Sequence, residues 1–281
     1  MREFHQKPTT FVGEVSINVV NLNQSITFYK DVIGFQVLSQ TESKAILTAD
    51  GKTPLLLLEQ PSGVVKKENR TTGLYHFALL LPKRTDLANF LTHLVELQYP
   101  LGASDHYVSE ALYISDPDGN GIEVYYDRPS SEWTWSNGEV QMATEPLDGS
   151  GLLAIRTEKW SVLPTETVMG HIHLHVSDLT TTEEFYIKGL GFEIATHYPG
   201  ALFISDGGYH HHIGLNVWNG VGAKAPKENS VGLNWYSLVF ADDTARNKTV
   251  EQLQSIGVEV TKIEDYYVTA DPSGNVIRLV L

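Results

Sequence analysis

The chain has 281 residues, 42% of them hydrophobic and 19% charged, enough to build two ordinary cores or one large one. A formal net charge of −14 with no basic tract argues against nucleic acid or an anionic membrane as a partner. The absence of cysteine excludes disulfides, thiolate zinc sites and iron–sulfur clusters, so any metal must be held by His, Asp or Glu.

In chain order, the N-terminal MREFHQKPTTFVGEV has no apolar run of the signal-peptide kind. No later stretch approaches the 18 apolar residues of a membrane helix, so a soluble, cytoplasmic protein is expected. Residues 12–38, VGEVSINVVNLNQSITFYKDVIGFQVL, read as a short alternating strand, a polar turn, a helix carrying Phe28-Tyr29, and a Gly34-Phe35 turn. Further short strands follow, ending in LLLLEQPSG. GLYHFALLLP (73–82) opens a second unit, continued by the helix TDLANFLTHLVELQ and closed by SDPDGNGIEVYY (115–126). DPDGNG is read as a turn, since it lacks the length and closing glutamate of a calcium loop.

Residues 130–167 form a linker that is long for a structureless loop, so part of it should pack on a domain. Trp133, Trp135 and Trp160 are expected to anchor it. MGHIHLHVSDLTTTEEFYIKGLGFEIA (169–195) then repeats the first unit at one constant offset without a gap. Gly13 falls on Gly170, Leu22 on Leu179, Phe28-Tyr29 on Phe185-Tyr186 and Gly34-Phe35 on Gly191-Phe192. GLNWYSLVFA (232–241), TARNKTVEQLQSIG and ADPSGNVIRLVL (270–281) repeat the second unit. The chain therefore reads as four βαβββ modules at roughly 10–62, 73–129, 168–220 and 231–281, with the Phe-Tyr pairs in the core.

This arrangement resembles the vicinal oxygen chelate superfamily, which includes glyoxalases, bleomycin resistance proteins and extradiol dioxygenases, and the resemblance covers nearly the whole chain. It implies an α+β fold in which the modules pair into two open, cupped β-barrels. One superfamily region would fall in 10–129 and a second in 168–281, flanking the linker. It also implies metal ligands at the start of a module's first strand and on its last strand.

The four first-strand positions are Glu14, His76, His171 and Trp235. The last-strand position is Glu123 in module two and Arg278 in module four; in modules one and three it falls near Leu57 and Gly214, which cannot bind metal. Modules three and four together offer only His171, and modules one and two offer Glu14, His76 and Glu123. Modules two and three offer His76, Glu123 and His171, a two-histidine, one-carboxylate set that leaves positions open on non-haem Fe(II), with Mn(II) as the alternative. His173 and His175 share a strand face with His171 in GHIHLHVSDL. Successive members of that face lie about 6.6 Å apart, too far to share an ion easily, so these two should line a pocket or bond elsewhere.

Within the superfamily the chain resembles the catechol 2,3-dioxygenase type of Bacillus and its relatives. That type carries a tyrosine four residues before the proline of the turn ahead of the ligand glutamate. LYISDPDGNGIEV supplies Tyr113, Pro117 and Glu123, whereas module four has Val268 at the tyrosine position. A histidine upstream of that tyrosine is matched, at a shorter spacing, by His106. A His-x-[IV]-[AG] stretch is matched in YHHHIGLN, where the motif points to His211 but strand parity counted from Gly214 points to His210 and His212. The resemblance implies O2-dependent cleavage of a catechol-type ring beside its diol. Tyr113 would hydrogen-bond the bound substrate oxygen, and His211 or His106 would take and return a proton. Two other readings stay open. One is a glyoxalase-like lyase or isomerase using Glu14, His76 and Glu123 with Ni(II), Co(II) or Zn(II); the other is a metal-free small-molecule binding or resistance protein. Homo-oligomers are common among such relatives, but no interface is legible here.

Overall fold

A computed structural model of the chain describes residues 3–281. Module one runs through β1 (Phe11–Asn18), α1 (Leu22–Phe28), β2 (Gln36–Gln40), β3 (Lys44–Thr48) and β4 (Pro54–Glu59). Module two follows with β5 (Gly73–Leu80), α2 (Arg84–Glu96), β6 (Gly102–Asp105), β7 (Ser109–Ser115) and β8 (Gly121–Asp127). The linker holds a two-residue hairpin, β9 (Trp135–Ser136) and β10 (Glu139–Val140), and the short α3 (Gly149–Ala154). Module three comprises β11 (Val168–His175), α4 (Leu179–Glu183), β12 (Glu193–Tyr198), β13 (Ala201–Ser205) and β14 (Ile213–Asn216). Module four comprises β15 (Gly232–Val239), α5 (Asp243–Ser255), β16 (Thr261–Ile263), β17 (Tyr266–Ala270) and β18 (Val276–Val280). No helix among the described residues is long and apolar enough to cross a membrane.

The fold is α+β, built on two curled eight-stranded sheets. One runs β12-β13-β14-β11-β5-β8-β7-β6 and joins modules two and three; the other runs β16-β17-β18-β15-β1-β4-β3-β2 and joins modules one and four. Neither sheet is made by one half of the sequence. Each junction is an antiparallel pair of first strands, β5 with β11 and β1 with β15.

Modules adjacent in sequence meet through their cores instead. Tyr29 Oη donates to Asp116 Oδ2 at 3.0 Å, linking module one to module two, and Tyr186 Oη donates to Asp271 Oδ2 at 3.1 Å, linking three to four. The repeated Phe-Tyr pairs are thus buried, as their recurrence implies, and each tyrosine also satisfies a buried carboxylate. The same two aspartates build the DPxG turns. Asp116 Oδ1 accepts from the Asp118 and Asn120 amides, and Asp271 Oδ1 accepts from those of Ser273 and Asn275. The polar turns before three of the helices are N-caps, with Asn21, Asp178 and Asp242 side chains accepting from the amides of Gln24, Thr181 and Ala245.

The linker packs on both sides of the molecule. Trp133 is buried and stacks on Phe4, and Trp160 is buried, contacts Phe90 and donates its indole N–H to the Ile33 carbonyl. Trp135 departs from expectation: it is 43% exposed, because the two-residue hairpin turns it outward.

β5 and β8 run parallel with His76 opposite Gly121, and here the backbones come unusually close. A Cβ on Gly121 would overlap the Tyr75 carbonyl oxygen and lie 3.1 Å from the His76 Cβ. Gly121→Ala should destabilise the protein by about 3 kcal/mol through overpacking, read as a lower denaturant midpoint at unchanged m-value.

Candidate metal centre

The centre lies in the cup of the sheet shared by modules two and three. Strand register places His173 opposite His76 and His171 opposite Ala78 on the β5–β11 pair, Ala78 beside Glu123 on the β5–β8 pair, and Glu123 opposite Tyr113 on the β7–β8 pair. Alternation then turns all of these side chains to one face. His171 and Glu123 stand two strands apart, about 10 Å at ordinary strand spacing. They meet across the small side chain of Ala78.

The meeting is close. His171 Nε2 lies 3.1 Å from Glu123 Oε2, and His76 Nε2 lies 3.0 Å from the same oxygen without the alignment of a hydrogen bond. All three side chains are buried, and their ligand-type atoms fall within 4.8 Å of one another. Burial by itself would raise the Glu123 pKa; the facing His171 and His76 outweigh it and hold the carboxyl well below its usual range. Burial in turn lowers His171. The group therefore combines a buried anion with imidazole lone pairs, and the described residues place no Lys or Arg against it. That donor set fits a divalent cation. Ligands at right angles on bonds of about 2.1 Å stand about 3.0 Å apart, which matches the two contacts to Glu123 Oε2. The His76 Nε2 left without a hydrogen-bond partner is the atom such an ion would satisfy.

A cavity of about 360 Å³ opens over this group, at the low end of the range for small-molecule sites. Its wall includes His76, Glu123, Tyr113, His106, His173 and His211. Tyr113 Oη donates to His106 Nε2 at 2.6 Å, and His106 Nδ1 donates to the Ala143 carbonyl, also at 2.6 Å. Burial, then the charge of Glu123, raise the Tyr113 phenol well above 10, so it stays protonated. His211 packs on the His171 ring at a centroid distance of 4.1 Å, and burial keeps it neutral.

His210 and His212 are buried away from the cavity, against the parity argument. β14 begins only at Ile213, so the two-residue period does not extend back to Tyr209–His212. His210 Nε2 instead pairs with Asp127, and His212 Nε2 donates to the Phe4 carbonyl. His173 lines the cavity, but its Nε2 accepts from the Asn216 side chain, whose oxygen in turn accepts from His175 Nδ1. Gly214, at the fourth ligand position, yields its space to His173: a Cβ there would lie 2.8 Å from that ring.

Several contributors were not singled out from sequence. Ala78 and Gly121 make room, and Met142, Ala143 and Thr144 of the linker close one wall. The pattern GxE in DPDGNGIEV, against VxR in module four, was the one available signal. Glu14 belongs to the other sheet and is not part of the converging group. There the Arg278 guanidinium lies 3.6 Å over the Trp235 ring, so the equivalent positions hold a cation–aromatic pair.

Burial is the leading cause that holds His5 and His175 near 4 rather than 6.5, and it lowers His171, His173, His211 and His212 as well. In the unfolded chain these groups take up protons below about 6.5, while the folded chain resists until lower pH. Stability of the metal-free protein should therefore be flat above about 6.5 and fall steeply from there toward 4. The depressed Glu123 adds a further loss as pH falls through its folded pKa. Denaturant midpoints measured across this range check the sign.

Comparison with known proteins agrees with this architecture. The sequence model of the Glyoxalase/Bleomycin resistance protein/Dioxygenase superfamily matches residues 12–124 and 168–279. The chain is 46% identical over 278 residues to a catechol-2,3-dioxygenase of Bacillus subtilis (strain 168), covering 97% of this chain and 98% of that protein. A biphenyl-2,3-diol 1,2-dioxygenase of Rhodococcus globerulus is 30% identical over 121 residues, covering 40% of this chain and 62% of that protein. Among solved structures, glyoxalase I from Zea mays shares the fold at a TM-score of 0.58 and 15% identity, over 96% of this chain and 92% of that one. Matched in both halves by the superfamily model and akin to a catechol 2,3-dioxygenase along nearly its whole length, the chain belongs to the glyoxalase/bleomycin resistance protein/dioxygenase superfamily.

Proposed function

We propose that the chain is an extradiol dioxygenase that opens a catechol-type ring beside its diol, using Fe(II) or Mn(II) held by His76, Glu123 and His171. The observation that carries this reading is the convergence of two imidazole nitrogens on one buried carboxylate oxygen, at 3.0 and 3.1 Å, in the wall of a cavity. Three protein ligands leave coordination positions open, and Gly214 supplies no fourth. Near-full-length similarity to a catechol-2,3-dioxygenase supports the substrate class.

Bound there, the metal would hold both diol oxygens beside O2 and let electron density pass between them. The chain's own groups manage protons and water. A diol that binds through both oxygens gives up hydroxyl protons. One enters Tyr113 Oη as the tyrosine's own proton passes to His106 Nε2, the ring being held by its Nδ1–H on Ala143. A second is taken by His211, which burial keeps neutral, and is returned as the ring opens. Val108, Met142 and Phe203 give the cavity apolar walls that exclude water. Both atoms of O2 enter the product.

The test is anaerobic reconstitution with Fe(II), then catechol and air, followed by the colour of the yellow ring-opened product. His76→Ala and Glu123→Gln should lose both stoichiometric metal and turnover. Tyr113→Phe should keep the metal and lose about 100-fold in turnover. Fe(II) bound to wild type with no product from any catechol would sink the reading.

A further inference from the structure

Behind His211, away from the cavity, lies a chain of buried groups to which proton handling at the centre assigns no part. Asp127 closes β8, and its Oδ1 lies 2.7 Å from His210 Nε2. Its Oδ2 accepts from Tyr209 Oη at 2.8 Å, and Tyr209 Oη also meets Tyr125 Oη at 2.7 Å. His210 Nδ1 lies 2.8 Å from His211 Nδ1. The His210 side chain is fully buried, with Trp133 packed edge-on against it.

We propose that Asp127 and His210 are positioning residues that fix His211 as its Nδ1–H tautomer, leaving Nε2 as a hydrogen-bond acceptor toward the cavity. Hydrogen-bond complementarity between two neutral imidazoles leads to it. A carboxylate only accepts, so the 2.7 Å contact places the His210 proton on Nε2. A neutral imidazole carries one N–H, which leaves His210 Nδ1 as a lone pair. Two lone pairs 2.8 Å apart would repel, so the proton of that contact belongs to His211 Nδ1. With Nδ1 turned to His210, Nε2 is the nitrogen left to the ring that lines the cavity. A carboxylate behind an imidazole serves other acid–base sites in this way, by selecting the tautomer and not by taking the proton. The catalytic consequence rests on the role proposed above for His211; the tautomer does not.

The test reads the tautomer directly, by nitrogen-15 NMR of histidine-labelled, metal-free, full-length protein, with signals assigned through His210→Gln and His211→Gln. Wild type should show His211 as Nδ1–H. In Asp127→Asn the side-chain amide donates to His210 Nε2 while its oxygen still accepts from Tyr209. His210 then turns to Nδ1–H, and His211 must switch to Nε2–H. The Fe(II)-loaded variant should lose about 100-fold or more in kcat, with KM and iron content unchanged. Wild-type His211 found as Nε2–H, as a doubly protonated His210 would require, overturns the proposal. So does an Asp127→Asn protein whose His211 tautomer has not moved. If Asp127→Asn does not fold, His210→Phe removes the acceptor; a His211 that stays wholly Nδ1–H there also overturns it. A tautomer switch in a protein whose wild type cleaves no catechol would uphold the relay and refute the dioxygenase reading separately.

Discussion

The constraint on which the centre depends is the burial of one carboxylate. Taking Glu123 out of water without partners would cost several kcal/mol, and two imidazoles delivered from two different modules answer that cost. The surroundings follow from getting those rings to one oxygen. Gly121 lets β8 approach β5, Ala78 leaves a gap over which His171 and Glu123 meet, and Gly214 clears the ring of His173. The Asp116 turn, clamped by Tyr29 from the neighbouring module, sets where β8 begins and so where Glu123 points.

The second sheet shows what the same scaffold does without that constraint. Its first strands carry Glu14 and Trp235, and its last strand carries Arg278. The Arg278 guanidinium sits 3.6 Å over the Trp235 ring, an arrangement that needs no ion. Where module two has Gly121, module four has Val276, so the close strand approach is absent from that pattern as well. One cup collects ligand atoms around a gap, and its counterpart sets an arginine on a tryptophan at the matching positions.

Much of this was legible in the chain itself. The constant offset between the repeats gave four modules, and the alternation in GHIHLHVSDL placed three histidines on one face. The spacing of Tyr113, Pro117 and Glu123 marked one module as different from its repeat. Parity failed at Tyr209–His212 because a strand period applies only inside a strand, and β14 begins only at Ile213. Trp135 misled for a related reason: composition says a tryptophan prefers burial, but a two-residue hairpin fixes which way it faces.

What sequence determined by itself is the set of local patterns: modules, turns, caps, and the candidate ligands His76, Glu123 and His171. Each depends on residues a few positions apart. Which of those ligands meet was decided only by tertiary structure. The choice between pairing module two with one or with three turns on edge-to-edge strand registry between β5 and β11, segments about ninety residues apart in the chain. The linker's contribution to the cavity wall and the Asp127–His210–His211 chain are of the same kind. Asp127 meets His210 at 2.7 Å from a distant part of the chain, the linker reaches the wall from outside both modules, and no local periodicity encodes a contact between segments that far apart.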